Sequence, residues 1–329
     1  MAKHRRVALV LGSGGARGYA QIGVIQVLKE RGYEIVAIAG TSMGALVGGL
    51  EATGKLQEYV DWATTLNQRD VLRLVDASPF GAGAIKLERV LARMSEILDG
   101  ARIEELPIPY TAVATDLGAR REVWFTSGPV DVAIRASVAI PGAITPIMVN
   151  GRLLVDGGVL NPVPVEPVMG VDADFTLAVA LSGWTPTDFN ATPARESSQS
   201  SPPAEWLDRF RRSAAGLFEN EWVTSVMARF GREHAEPDPR PFEDAPPGLG
   251  IPQVAAMALD TMGAAITRYR LAALPPDLLI NVPGDAAKTM DFHRAEELIE
   301  LGRTLAVEAL DKAFPVEEQP VLEAVPSDG

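Results

Sequence analysis

Short apolar runs alternate with helical patterns along roughly the first half of the chain. From Arg6 to about Val179 the runs have the length of buried strands, and amphipathic or small-residue segments separate them. Such alternation is typical of strands joined by crossover helices, which form a mainly parallel sheet. We predict strands at Val7–Leu11, Ile35–Ala39, Tyr110–Ala114, Val123–Thr126, Leu153–Val155 and Phe175–Leu181, and helices at Ala20–Arg31 and Ala45–Ala52.

The pattern changes after about residue 182. Thr185–Pro203 is rich in Thr, Ser, Pro and Ala, which favours a loop. Ala204–Phe230 carries apolar side chains at helical spacing and predicts an amphipathic helix. We therefore expect one domain over residues 1–314, with a helical insertion at about residues 183–250. Beyond it, the pattern predicts a helix at Gln253–Ala273, a strand at Leu278–Val282, a helix at Asp291–Ala313 and a disordered acidic tail at residues 315–329.

Composition and charge exclude several classes of protein. Of the 329 residues, 47% are hydrophobic, which is enough for a large buried core. The formal net charge of −13 argues against nucleic acid as a partner, because phosphate contacts need concentrated Lys and Arg. The absence of cysteine excludes disulfides, thiolate catalysis and Cys-bound metals, and suits a cytoplasmic location. We find no apolar stretch of the length that a membrane span needs.

The first chemical motif is Gly40-Thr41-Ser42-Met43-Gly44, between a predicted strand and a helix of small residues. This is the setting of a nucleophile elbow, in which Gly40 and Gly44 avoid clashes around an exposed serine hydroxyl. The helix that follows points its N-terminus toward Ser42, where it would stabilise an oxyanion. The alternative is a glycine-rich turn whose serine merely caps the helix.

The second motif is the glycine-rich loop Gly12–Gly18, after the first strand and before the first helix. A dinucleotide fingerprint fails because position 17 is Arg, and a Walker A motif fails because no Gly-Lys-Ser or Gly-Lys-Thr is present. Successive backbone N–H groups could also form an oxyanion hole. Taken alone, the loop fits anion binding and a structural turn equally well.

The base that would activate Ser42 is not an evident histidine. His4 and His234 lie in charged segments, and His293 opens the last predicted helix, where a surface or capping role is favoured. Asp156 ends an apolar strand and precedes two glycines, so we consider it the candidate base. Partial burial would raise its pKa. The alternative is an ordinary Asp-Gly turn, and we interpret Asp116, at another strand end, as structural.

Three motifs in this order resemble the patatin-like phospholipases, including their bacterial members. They are Gly-Ser-Gly-Gly-Ala-Arg-Gly at residues 12–18, Gly-Thr-Ser-Met-Gly at residues 40–44 and Asp-Gly-Gly at residues 156–158. The resemblance covers roughly Arg6 to Leu310 and is weakest between Gly183 and Gly250. Further matching segments are Ile134–Ser137, Ile140–Gly142, Asn161–Pro164 and Asp291–Ala295.

The resemblance implies a three-layer α/β/α fold with a mainly parallel central sheet, and a Ser-Asp dyad. Ser42 would be the nucleophile and Asp156 its base, which accounts for the missing histidine. The resemblance implies no metal and no cofactor. The implied oxyanion hole comprises Gly14, Gly15, Arg17 and Gly18, and the supporting glycines are Gly12, Gly40, Gly44, Gly157 and Gly158.

The implied substrate is a phospholipid, a lysophospholipid or another fatty acyl ester. The amphipathic segment Ala204–Phe230 is either a lid that gives peripheral contact with the inner membrane face, or a helix that packs in the core or forms a homodimer; we favour the core or dimer helix. The same motifs also fit an acyltransferase. A regulatory protein that lost catalysis is a third alternative, although nothing structural requires the Ser42 hydroxyl.

Overall fold

The computed structural model describes residues 5–74, 83–85, 88–183 and 250–315. The chain divides into two compact units, residues 1–185 with 256–329, and residues 186–255. Nearly all of the described residues belong to the first unit. The predicted loop Thr185–Pro203, the amphipathic segment Ala204–Phe230 and all but the first residue of the predicted tail lie outside the described residues. The predicted limits of the insertion therefore stay a prediction.

The described strands form a central mixed sheet and a small separate pair. Their bounds are β1 Arg6–Leu11, β2 Glu34–Thr41, β3 Gly83–Ile85, β4 Tyr110–Asp116, β5 Arg121–Phe125, β6 Gly142–Ile144, β7 Ile147–Val149, β8 Arg152–Asp156, β9 Phe175–Gly183 and β10 Leu278–Pro283. Strands β10, β9, β1, β2 and β4 lie side by side and parallel. Strands β8 and β7 continue the sheet antiparallel, while β3 and β6 pair separately. The predicted mainly parallel sheet is confirmed.

Helices cover both faces of this sheet. Within the described residues their bounds are α1 Tyr19–Glu30, α2 Met43–Ala52, α3 Leu56–Ala63, α4 Gln68–Leu74, α5 Glu88–Leu98, α6 Val130–Ser137, α7 Ile251–Ala273 and α8 Ala295–Ala313. Alternate residues of β1 enter different clusters: Leu9 packs with α1, α2 and α8, whereas Val10 packs with the segment after β8 and the end of α7. The three-layer α/β/α arrangement follows, as expected.

Strand β4 brings two distant parts of the chain together. Strand β5 pairs with β4 from Ala112 to Asp116 and so occupies one edge of it. Strands β2 and β8 therefore share the other edge: β2 ends with Thr41 opposite Val113, and β8 ends with Asp156 opposite Ala114. Ser42 and Asp156 thus leave the sheet beside adjacent residues of one strand.

The last helix is shorter than predicted. It begins at Ala295 rather than at Asp291, because residues 288–294 form turns. The Asp291 carboxylate accepts a hydrogen bond of 3.0 Å from the Lys288 amide, and the Arg294 amide donates to the Asp291 carbonyl oxygen at 3.0 Å. An Asp side chain that binds its neighbouring backbone favours a turn over a helix.

Candidate active site

Ser42 occupies a strained turn between β2 and α2. Its backbone has φ 57° and ψ −121°, a combination that costs free energy in a residue with a side chain. A Cβ on Gly40 would lie 2.3 Å from the Gly44 carbonyl oxygen, and one on Gly44 would lie 2.0 Å from the Leu11 carbonyl oxygen. Larger residues would therefore collide with backbone on either side of the turn. Helix α2 begins at Met43, so its positive end lies next to Ser42.

Asp156 is fixed through both its side chain and its backbone. It is 5% exposed at the end of β8. The Gly158 amide donates a hydrogen bond of 2.7 Å to the Asp156 carboxylate, and the Asp156 amide donates to the Ala139 carbonyl oxygen at 2.9 Å. A Cβ on Gly157 would lie 2.2 Å from the Val113 carbonyl oxygen. Glycine at this position therefore permits the close approach of β8 to β4.

Burial raises the pKa of Asp156 from an ordinary value of 3.8 to about 6. Loss of hydration disfavours the charged carboxylate and is the largest cause. Hydrogen bonds from the Ser42 hydroxyl and the Gly158 amide oppose this rise, because they stabilise the anion. A carboxyl with this pKa is ionised near neutral pH and is a stronger base than an ordinary aspartate.

The glycine-rich loop begins at Gly12, whose amide donates to a carbonyl group of β9 at 2.9 Å. The amides of Ser13 and Ala16 also donate to backbone carbonyl groups, at 2.8 and 3.0 Å. Between them, the N–H groups of Gly14 and Gly15 have no hydrogen-bond acceptor within the part of the chain that the structure describes. Gly15 has φ 60°, a conformation that glycine adopts without strain. Two backbone donors are thus left available beside Ser42.

Arg17 and Gly18 hold this loop against neighbouring backbone and against α2. The Arg17 guanidinium donates to the carbonyl oxygens of Gly14 at 3.2 Å and Gly284 at 2.9 Å. Burial lowers the pKa of Arg17, although the charge of Asp260 opposes that effect. A Cβ on Gly18 would lie 2.1 Å from Cγ of Met43, so the loop packs closely against α2. A direct part for Arg17 and Gly18 in holding an oxyanion stays a prediction.

Two cavities meet at Ser42. One, of about 110 Å³, has mainly apolar and aromatic walls that include Tyr19, Trp62, Met94, Ile134 and Phe292. The other, of about 200 Å³, is a cleft that contains the polar groups Asp156, Arg17 and Asp260 and extends along α7. Both cavities are lined by Gly15, Ser42, Ile140 and Thr289. The serine therefore lies between an apolar and a more polar compartment.

A polar network lies behind the loop that follows β8. The Thr41 hydroxyl donates to the carbonyl oxygen of the fully buried Asn161 at 2.9 Å. The Asn161 side chain donates to Glu122 at 2.9 Å and to Glu166 at 3.0 Å. Arg270 of α7 forms ion pairs with both carboxylates. The network joins the residue before Ser42 to β5, to α7 and to the loop after Asp156.

Two other sequence candidates, His293 and Asp116, line neither cavity at this site. His293 is half-buried and lines neither cavity, while His4 and His234 lie outside the described residues. The Asp116 carboxylate accepts a hydrogen bond of 2.9 Å from the Ala119 amide, as its predicted structural role requires. Within the described ranges, no group of three His, Cys, Asp or Glu residues could hold a metal ion; the absence of a metal stays a prediction.

The sequence did not indicate the parts of Ser137 and Asn161. The Ser42 amide donates to the Ser137 hydroxyl at 2.7 Å, and Ser137 is fully buried. Both residues belong to segments that resemble the patatin-like phospholipases, and that resemblance was the sign in the sequence that could have pointed to them. Their contacts join positions far apart along the chain, so local patterns contain no information about them.

Comparisons with known proteins find relatives of one family. The family description "Patatin-like phospholipase" matches residues 9–169. An uncharacterized NTE family protein of Mycobacterium tuberculosis is 47% identical, over 95% of this chain and 93% of the relative. Patatin-like phospholipase domain-containing protein 7 of Rattus norvegicus is 31% identical, over 56% of this chain and 14% of the relative. Lysophospholipase NTE1 of Mycosarcoma maydis is 32% identical, over 56% of this chain and 10% of the relative.

Among solved structures, VipD from Legionella pneumophila matches with a TM-score of 0.44 and 14% identity, over 94% of this chain and 67% of that chain. The mycobacterial relative is matched over nearly the full length of both chains. The Ser42 elbow and Asp156 both lie in the part that the family description covers. The chain therefore belongs to the NTE family of patatin-like phospholipases.

Proposed function

We propose that this protein hydrolyses fatty acyl esters of lipids, with Ser42 as the nucleophile and Asp156 as the base. One observation carries the proposal: both side chains are buried beside adjacent residues of β4, where an apolar cavity meets a more polar cleft. A serine beside a carboxyl with a raised pKa is a group that can attack an ester.

In the first half of the reaction, the Ser42 hydroxyl attacks the ester carbonyl carbon and transfers its proton to Asp156. The carbonyl oxygen gains negative charge and accepts hydrogen bonds from the N–H groups of Gly14 and Gly15. Each such donor typically contributes roughly 3–4 kcal/mol to transition-state stabilisation. The C–O bond of the ester then breaks, and the leaving alcohol takes the proton from Asp156. Ser42 is left as an acyl ester.

In the second half, Asp156 removes a proton from water, and the hydroxide oxygen attacks the acyl carbon on Ser42. The same N–H groups hold the second oxyanion. The bond between the acyl carbon and the Ser42 oxygen breaks, and the serine oxygen takes the proton from Asp156. A fatty acid leaves, and both side chains return to their starting states. No step needs a metal or a cofactor.

The two cavities support a lipid substrate with a defined orientation. The apolar cavity, walled by residues such as Trp62 and Met94, suits the acyl chain. The cleft with Arg17 and Asp260 suits the polar leaving alcohol. A relative named a lysophospholipase adds support for a phospholipid or lysophospholipid substrate. Homodimer formation, a cytoplasmic location and peripheral contact with the inner membrane face stay predictions. No helix among the described residues could cross a bilayer.

The proposal is tested with a p-nitrophenyl ester and a fluorophosphonate label. Ser42→Ala should lose labelling and at least about 10⁴-fold in kcat, because no other group can form the acyl intermediate. Asp156→Asn should lose a comparable factor while it stays folded. The matched control is Asp116→Asn, which changes a buried acid at a neighbouring strand end that lines neither cavity. It should keep kcat within about twofold.

Four outcomes would contradict the proposal. Labelling that survives in Ser42→Ala means that another residue is the nucleophile. An Asp156→Asn variant as active as the wild type means that another group is the base. A wild-type protein that neither labels nor hydrolyses esters, even in lipid vesicles, is not an esterase. An added alcohol that captures most of the acyl group would instead make the protein an acyltransferase.

A further inference from the structure

A hydroxyl group bridges the place where β2 separates from β4. The two strands pair up to Thr41 opposite Val113 and then diverge. The Ser42 amide donates to the Ser137 hydroxyl oxygen at 2.7 Å, and that hydroxyl donates to the Val113 carbonyl oxygen at 2.6 Å. Ser137 thus joins a donor and an acceptor that the end of the strand pairing would otherwise leave without a partner.

This bridge lies where water cannot replace it. Ser137 and Val113 are fully buried, and Ser42 is 4% exposed. An unpaired backbone N–H or carbonyl group in such a place costs free energy. A group that accepts one hydrogen bond and donates another is required, and a hydroxyl does both. Alanine at position 137 would leave both backbone groups unpaired.

Ser42 needs this support because its backbone is strained. A non-glycine residue with φ 57° keeps that conformation only where its surroundings hold it. The bond from the Ser42 amide to Ser137 acts on the peptide unit that sets this φ angle. A loss of the bond would allow the turn to relax and would move the hydroxyl away from Asp156.

The same segment also holds Asp156. Helix α6 ends at Ser137, and two residues later the Ala139 carbonyl oxygen accepts the Asp156 amide at 2.9 Å. The next residue, Ile140, lines both cavities. Residues 137–140 therefore contact the backbone of both proposed catalytic residues and the walls of the compartments in which a substrate would bind.

We propose that Ser137 is a positioning residue: its hydroxyl sets the conformation of Ser42 and thereby the reactivity of the nucleophile. The inference rests on the proposed function, since it concerns the reaction of Ser42. Ser137 lines neither cavity and so acts through the Ser42 amide rather than through a substrate.

The test compares three variants at position 137 in the full chain. Ser137→Ala removes the hydroxyl, Ser137→Cys keeps the shape with a weak donor and acceptor, and Ser137→Thr keeps the hydroxyl. The matched control is Thr115→Val, which removes a buried hydroxyl from β4 that has no hydrogen-bond partner among the described residues. For each variant we would measure kcat and KM on a p-nitrophenyl ester, the fluorophosphonate labelling rate and the urea midpoint.

Ser137→Ala and Ser137→Cys should lower kcat and the labelling rate by about 10- to 100-fold, with KM within about threefold, because a small displacement of a nucleophile has effects of this size. Ser137→Thr should recover most of the rate, and Thr115→Val should react like the wild type. A merely structural serine would change the urea midpoint but not the labelling rate of the folded variants.

The proposal is overturned if folded Ser137→Ala labels at the wild-type rate, or if only KM changes. If Ser137→Ala does not fold, Ser137→Cys decides, and a wild-type labelling rate in that variant overturns the proposal. A wild-type protein that neither labels nor turns over refutes the proposed function and this inference together. An active wild type with a fully active Ser137→Cys refutes only the inference.

Discussion

At the scale of single residues, the burial of Asp156 connects its proposed role as a base with stability. Burial raises its pKa to about 6, and the hydrogen bonds from Ser42 and Gly158 limit the rise. Near neutral pH the carboxylate is ionised and can accept a proton. The same burial disfavours that ionised form in the folded protein. The environment that makes Asp156 a better base therefore also lowers the free energy of unfolding above this pKa.

The pH profile of the esterase activity should report this pKa. We expect kcat/KM for a p-nitrophenyl ester to rise as the pH increases through about 6 and then to level off, because only ionised Asp156 can act as a base. The measurement is kcat/KM in steps of half a pH unit, with the fold followed by circular dichroism. A midpoint near 4, or a profile without an acid limb, would contradict the assignment.

Asp156→Asn should stabilise the protein at alkaline pH. A carboxyl whose pKa is higher folded than unfolded binds more protons in the folded state, so its contribution to stability falls as the pH rises from about 4 to 6. The rise from 3.8 to about 6 corresponds to about 3 kcal/mol. Urea unfolding at pH 8 should show a gain of about this order in the variant, and the gain should shrink toward pH 4. Equal gains at both pH values would mean that the buried charge of Asp156 is not their cause.

Gly15 should be needed for activity rather than for folding alone. Gly15→Ala puts a side chain at φ 60° and 2.6 Å from Thr289, beside the proposed oxyanion donors. The matched control is Gly54→Ala, at φ 73° with no atom within 4 Å of the added Cβ. Both variants should lose about 1–2 kcal/mol of stability from the backbone conformation. Only Gly15→Ala should lose esterase activity; equal activities would argue against a part for this loop in catalysis.

At the scale of elements, local patterns predicted the turn of the proposed nucleophile and the candidate base, but not that the two lie close together. Strand β2, the turn and helix α2 are continuous in sequence, so hydrophobic patterning and two glycines were sufficient to place Ser42. Strand β8 lies beside β4 through the pairing of Ala114 with Asp156, and these two residues are distant in sequence. Asp156 was therefore predicted from its motif and from the family resemblance. Only the pairing in the sheet shows that it lies close to Ser42.

The ion pairs of Arg270 with Glu122 and Glu166 should contribute to the free energy of unfolding. Arg270→Gln leaves Glu122 and Glu166 as neighbouring carboxylates without their cation, so we expect a loss of about 1–3 kcal/mol in urea unfolding. Adding Glu122→Gln and Glu166→Gln should recover part of this loss. Arg303→Gln, which breaks a more exposed ion pair with Glu30, is the control and should cost less. Equal losses of unfolding free energy in Arg270→Gln and Arg303→Gln would mean that the Arg270 ion pairs contribute no more to stability than a more exposed pair.

At the scale of the whole molecule, the net charge affects which lipid surfaces the protein can approach, and the shape of the two cavities affects which molecules can bind. The net charge of −13 repels anionic surfaces, whereas an uncharged lipid surface is not repelled. The net charge follows from the sequence alone. The two cavities could not be predicted from the sequence, because their walls combine residues of α3, α5 and α7, and only the folded structure brings these helices close to Ser42.

The protein should hydrolyse a reporter ester faster in zwitterionic than in anionic vesicles. A trace of one fluorogenic fatty acyl ester in both kinds of vesicle keeps the chemistry constant, so the difference reports encounter with the surface. We expect the preference to be strong at low ionic strength and to fade in about 0.5 M salt, where the Debye length is only a few ångström. Faster reaction in anionic vesicles would point to a local basic surface that overrides the net charge.

The walls of the two cavities and the proposed catalytic pair between them come from different elements of the fold. Backbone pairing along β4 sets the positions of Ser42 and Asp156, while α3, α5 and α7 supply much of the lining around them. Under the proposed function, mutations in those helices can change which ester fits and leave the Ser42 hydroxyl and the Asp156 carboxylate in place. If the proposed function holds, evolution can therefore alter the substrate preference of this protein without altering the chemistry at Ser42.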